Sequence, residues 1–104
     1  MTRRRLPDRR PAETADLHFG GQAFAVTIGF YPDGRPGEVF ADGVRSGSDL
    51  EALLDDACVT LSLLLQHGVE PARIAGCMGR LGDRRPASAI GAVADHLAME
   101  AGHG

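Results

Sequence analysis

Two cysteines, Cys58 and Cys77, are the most reactive side chains that this sequence offers. They stand far apart and lack the paired Cys-x-x-Cys spacing of a zinc site. Cys58 falls near the inner face of a leucine-rich helical stretch, where a buried structural thiol, behaving as a small hydrophobe, is the default. A catalytic thiol needs a neighbouring base, and the spacing assigns none. The histidines His18, His67, His96 and His103 are scattered. His67 falls at a helix C-terminus, where the dipole favours a cation. His96 follows Asp95 on the last helical stretch and reads as half of a solvated surface pair. His103 lies in the terminal tail. Asp55 and Asp56 could bind Mg²⁺ or exchange protons. Adjacent helical positions diverge by about 100°, so a solvated face is the better expectation.

Arginine is the second chemical theme. Every basic residue is Arg, and five of the eleven lie in the first ten positions: Arg3, Arg4, Arg5, Arg9 and Arg10. The absence of Lys reads first as a compositional bias. Arg nevertheless forks onto phosphate or carboxylate in a way that Lys does not. Basic arms bind nucleic acid by counterion release, although a net charge of −3 removes any global attraction to it. Arg80, Arg84 and Arg85 form a second cluster. An anion site would arise if arm and cluster met in space. The residues assigned to anion or nucleotide contact are Arg9, Arg10, Arg35, Arg84 and Arg85, with Glu38 orienting Arg35 across a turn. Gly76-Cys77-Met78-Gly79 lacks the residues of a phosphate-binding loop.

These residues must be positioned by a small fold. At 104 residues the chain is one domain, and 43% hydrophobic composition supports a core. Residues 1–13 read as a basic arm, 14–101 as a single domain and 102–104 as a tail. Residues 15–19 suggest a short strand, and Gly20-Gly21 a two-residue hairpin turn. Residues 22–31 suggest a long strand with Phe24, Val26, Ile28 and Phe30 on its core face. Ala25, Thr27, Gly29 and Tyr31 fall on the other, small-residue face, which could admit a second subunit. After Pro32–Gly37, residues 37–42 suggest a third strand. Ser48 and Glu51 match a capping box. It opens a helix running to about His67, with Leu50, Leu53, Leu54, Ala57, Leu61, Leu64 and Leu65 in its apolar stripe. Val59 and Leu63 widen that stripe, which predicts burial on two sides. A short helix over 71–78 begins at Pro71. A last helix spans about 87–101, where Gly91 would admit a closely packed neighbour. No internal repeat stands out. The expected architecture is α+β: a three-stranded antiparallel meander packed against about three helices.

Several stretches together resemble a known family. They are Leu6–Thr14, Thr27–Phe40, Gly47-Ser48, Ser62–Val69 and Pro86–Gly91, with Asp33–Phe40 and Ser62–Val69 the most specific. Their order resembles the TSCPD domain. That domain occurs at the C-terminal end of adenosylcobalamin-dependent (class II) ribonucleotide reductases and as small stand-alone proteins. The resemblance implies association with deoxyribonucleotide synthesis. It does not imply that this chain catalyses it, because the reductase needs a large barrel with a radical cysteine, a reducing cysteine pair and a cobalamin site.

The reading expected from the sequence is a non-catalytic accessory or binding module without metal or other cofactor, as a cytoplasmic homodimer. Its partner would be a ribonucleotide reductase subunit, a nucleotide or single-stranded nucleic acid, and not a membrane. Two alternatives stay open: a reductase-associated enzyme activity using Cys58 or Cys77, and a small metal-binding protein.

Overall fold

In the computed structural model, Arg3, residues 11–43 and residues 49–101 are described. Three strands are followed by three helices: β1 (Ala12–Phe19), β2 (Gln22–Phe30), β3 (Pro36–Asp42), α1 (Asp49–Gln66), α2 (Pro71–Cys77) and α3 (Ala89–Ala101). The strands form one antiparallel sheet in the order β1-β2-β3. The α+β meander expected from the sequence is the fold observed. The capping residue Ser48 lies outside the described residues.

The β1–β2 hairpin closes through Gly20 and Gly21, with φ of 60° and 79°. Two consecutive positive φ values give the turn the twist that suits flanking strands, and glycine takes them without a Cβ penalty. Pairing runs from Phe19↔Gln22 back to Ala12↔Gly29, so β1 starts earlier than its apolar residues alone suggest. The backbone ladder, not side-chain hydrophobicity, extends it.

Phe24, Val26 and Ile28 face the helices as expected, and Val26 and Ile28 are fully buried. The register shifts between Gly29 and Phe30. The extra residue there is Gly37 of β3, which lies between the partners of Gly29 and Phe30. Phe30 keeps its place against the core, half-buried, whereas Tyr31, just past the end of β2, is buried instead of sharing the open face. The open face carries Thr14, Thr27 and Phe40; Thr14 and Thr27 share a hydroxyl hydrogen bond of 2.9 Å.

The helices supply Leu54, Cys58, Leu61, Leu65, Ile74, Val93, Ala94 and Leu97 to a single core. Burial on two sides of α1 does not hold. Val59 is 60% exposed, Leu53 67%, and Leu63 and Leu64 remain open as well. A single layer of helices covers the sheet on one side only, so the far face of α1 meets nothing among the described residues.

The helix α3 begins at Ala89, not at residue 87, because Ser88 caps it: Ser88 Oγ accepts the Gly91 amide at 3.0 Å. Gly91 does admit a close neighbour, but within the chain. A Cβ there would lie 3.3 Å from Cβ of Pro86 and 3.2 Å from Oγ of Ser88.

Leu97 is fully buried. Leu97→Ala removes core volume that the surrounding sheet and helices cannot refill, and should cost about 2–5 kcal/mol in urea unfolding. Met99→Ala, at an exposed position of the same helix, should change stability little in the same experiment.

Candidate functional site

The strand β3 is an edge strand, and α1 lies along that edge. Three side chains of α1 reach the outward-facing backbone of β3. Cys58 Sγ lies beside the Ala41 amide, whose dipole pulls the thiol pKa down. The Val39 amide donates to Ser62 Oγ at 3.0 Å. Gln66 Nε2 donates to the Gly37 carbonyl at 3.0 Å. The Ser62 hydroxyl has one proton, which points at the Cys58 carbonyl at 2.8 Å, with the Val39 carbonyl a longer alternative at 3.3 Å. Four helical residues advance about 6.0 Å and two strand residues about 6.6–6.8 Å. Positions 58, 62 and 66 therefore keep step with 41, 39 and 37, and α1 takes the place of a fourth strand. Gln66, although only 6% exposed, has both polar atoms engaged, because Arg3 Nε donates to its Oε1.

A groove of about 340 Å³ opens beside this ladder. Val59, Leu63 and Phe40 form its apolar wall, and Arg3, Glu38 and Asp55 bring charge to it. Its thiol is not activated. Burial, with the Asp55 charge adding to it, pushes the Cys58 thiol up from 9.0 to about 11, against a smaller opposing pull from the Ala41 amide. A thiol held protonated is a poor nucleophile and a poor ligand. Cys77 lies apart and exposed. Asp55 and Asp56 are both exposed, as a solvated helix face requires. Among the described residues no three His, Cys, Asp or Glu side chains converge on a metal position.

The second region is the loop between α2 and α3. Arg80 is its anchor, not a free cation. It forks onto Asp95 at 2.6 and 2.9 Å and also donates to the Arg84 and Ala75 carbonyls. That hydrogen-bonded fork holds the Asp95 carboxyl below its usual range. The expected solvated pair of Asp95 and His96 is thus corrected: Asp95 belongs to Arg80, and His96 is buried at 8% exposure. One helical step separates an outward position from an inward one.

The two arginine-bearing turns share one construction, which the sequence reading missed. In the β2–β3 turn, the Tyr31 amide donates to the Arg35 carbonyl (2.8 Å) and the Gly34 amide to the Tyr31 carbonyl (2.9 Å). The Arg35 amide donates to Asp33 Oδ1 (3.0 Å). In the later loop, the Leu81 amide donates to the Arg85 carbonyl and the Arg84 amide to the Leu81 carbonyl, both at 2.9 Å. There the Arg85 amide donates to Asp83 Oδ1 at 3.1 Å. The signal is legible afterwards in Pro32-Asp33-Gly34-Arg35 and Gly82-Asp83-Arg84-Arg85. The two segments differ at Pro32 against Gly82 and at Gly34 against Arg84. Gly34 takes φ of 91°, and its counterpart Arg84 takes φ of 71° with a full side chain.

The residues assigned to anion contact are distributed as follows. Arg35 lies 3.9 Å from Glu70, with both side chains at least half-exposed. Glu38 lines the groove at the β3 edge. Arg85 pairs with Asp83 within its own turn. Arg84 is exposed, with no side-chain partner among the described residues. Arg9 and Arg10 lie outside the described residues, and so does any meeting of the arm with the loop.

The sequence profile of the TSCPD domain matches residues 1–99. The chain belongs to the TSCPD domain family. A vitamin B12-dependent ribonucleotide reductase of Rhodopirellula baltica is 39% identical over 67 residues, 64% of this chain and 6% of the relative. The enzymes of the same description from Bradyrhizobium diazoefficiens and Streptomyces coelicolor are 37% and 39% identical over the same length, 5% and 7% of those proteins. This TSCPD chain therefore spans only a small fraction of the curated relatives that it matches. No solved structure matches significantly. No helix among the described residues is long and apolar enough to cross a membrane. The groove is at the small end of the roughly 300–1,000 Å³ typical of small-molecule sites, far short of a corrin ring with its appendages, so no chemistry is routed through B12 here.

Two outcomes follow from the ladder. Ser62→Ala strands the Val39 amide at a partly buried position and should cost about 1–3 kcal/mol of unfolding free energy. The Cys58 pKa is higher folded than unfolded, so above pH 9 the unfolded chain sheds a proton that the folded chain keeps. Stability should be intact below pH 9.0 and fall as pH climbs towards 11. Cys58→Ala should flatten that part of a pH series of urea midpoints.

Proposed function

We infer that this chain is a non-catalytic accessory module of ribonucleotide reduction. It acts in the cytoplasm as a homodimer and binds a reductase polypeptide through an arginine-bearing surface. The carrying observation is the shared segment: 67 residues at 36–39% identity recur inside B12-dependent reductases of which they form only a few per cent. A piece of that size, whose groove thiol Cys58 is buried and held protonated, is read as contributing contacts and not turnover. In this reading residues 1–13 are an arm that adds Arg9 and Arg10 to the surface, and residues 14–101 are the domain that carries it.

Arg84 is the residue on which this surface turns. A non-glycine side chain in the left-handed region costs about 1–2 kcal/mol. Strain of that kind gathers at functional positions. Here it holds an exposed guanidinium at a place where the sister turn uses glycine. Arg35 and Arg85 flank equivalent turns and supply further donors. A phosphate, as in a nucleotide, and a carboxylate on a protein both suit the guanidinium fork.

The test is titration of the full chain against a purified B12-dependent ribonucleotide reductase and, separately, against ribonucleotides, at low and high salt. Binding that weakens as salt rises is expected. Arg84→Gly should weaken it severalfold while raising thermal stability, by about 1 kcal/mol. These opposed signs distinguish a recognition residue from a structural one. Flat titrations against both probes at low salt would remove the proposal.

A further inference from the structure

One edge of the sheet is sealed by α1, whereas the other carries a row of backbone groups with no partner among the described residues. We propose that this open edge of β1 is where two copies of the chain meet, pairing β1 with β1 antiparallel across a twofold axis at Leu17. The proposal rests on the homodimer reading above and assigns it a surface.

The direction of the backbone groups comes from the hairpin. The Pro11 carbonyl accepts the Phe30 amide at 2.9 Å. In an antiparallel pair, residues bonded to the neighbour alternate with residues whose groups point away. Pro11, Glu13, Ala15, Leu17 and Phe19 thus bond towards β2. Ala12, Thr14, Asp16 and His18 direct their amides and carbonyls outward. The strand β1 is eight residues long and pairs with β2 without a register shift. It has no bulge, no proline and no lysine, and its one inward-facing charge, Glu13, lies at the N-terminal end away from Leu17 and Phe19. Its inward-facing Leu17 and Phe19 are only partly buried against the core, so the apolar layer is unfinished along this side.

The occupant follows from the side chains. A twofold axis perpendicular to the sheet keeps both core faces on one side and requires residues of the same face to sit opposite. An axis at Asp16 opposes Asp16 to its own copy, a like-charge pair that destabilises. An axis at Ala15 sets Glu13 against Leu17 of the other copy. An axis at Leu17 places Leu17 on Leu17, Ala15 beside Phe19, and Asp16 opposite His18 twice by symmetry. Asp16 and His18 are both exposed and have no side-chain partner among the described residues. This register sets the Asp16 carboxylate beside the His18 ring outside, closes the apolar layer inside, and yields a continuous six-stranded sheet.

Sedimentation velocity on the full chain from micromolar to millimolar concentration tests it. The expected mass is twice 11.0 kDa. His18→Pro deletes an outward amide that the isolated fold does not use, and should raise the dissociation constant at least tenfold. Asp16→Lys should raise it severalfold, since each cross-strand charge pair contributes modestly. The double exchange Asp16→His with His18→Asp recreates the pair in mirrored order and should restore wild-type affinity. If circular dichroism shows the proline variant unfolded, the lysine variant and the double exchange decide the outcome. A wild-type chain that stays at 11.0 kDa throughout overturns the dimer and its surface together. A dimer untouched by both single variants overturns this surface alone. Protection of the Thr14, Asp16 and His18 amides from exchange only when a reductase is added would assign the edge to a strand of that partner and overturn the pairing of copies.

Discussion

The structure depends on a helix that behaves as a strand. A three-stranded sheet has two edges, and each exposes peptide groups that must bond to something or remain in water. On α1, Ser62 and Gln66 hydrogen-bond the outward row of β3 at Val39 and Gly37, and Cys58 lies against the Ala41 amide. Because the ladder uses one stripe of α1, the adjacent stripe of Leu54, Leu61 and Leu65 is fixed over the sheet. The helix thus cannot rotate about its axis without losing polar and apolar partners together. That coupling gives a small core its single arrangement.

The same ladder shapes the groove. A cysteine set against an edge amide and buried among leucines holds its proton, and a glutamine between a strand carbonyl and Arg3 has both polar atoms engaged. What remains outward there is the apolar wall of Phe40, Val59 and Leu63 with charge around it. Most of the arginine around the loop after α2 is tied down: Arg80 clamps Asp95, and Arg85 folds onto Asp83. Arg84 alone combines exposure with a strained backbone. Arg84 presents an exposed guanidinium with no side-chain partner among the described residues, on a domain that recurs as a minor part of much longer reductases.

Much of this was legible in the residues. The order of strands and helices, the glycine turn, the core positions Phe24, Val26 and Ile28 and the buried Cys58 follow from periodicity and turn chemistry. The family follows from the ordered segments around Asp33–Phe40 and Ser62–Val69. Four features were not legible. Tyr31 is buried where the chain leaves β2, beyond the reach of strand alternation, and Leu53, Val59 and Leu63 stay exposed because no second layer covers α1 among the described residues. Arg80 and Asp95 meet only through the docking of α2 on α3. The repeated turn was hidden because its two copies share only Asp, Arg and the following Pro.

The sequence by itself determined what each segment could become, because φ preferences, alternation and helical spacing are local properties of neighbouring residues. It also carried the polar stripe of Cys58, Ser62 and Gln66 in plain view at intervals of four. Only the tertiary structure decided what that stripe was for. A hydrogen bond needs its partner placed within about 3 Å, and it took the packed sheet to bring Gly37, Val39 and Ala41 alongside.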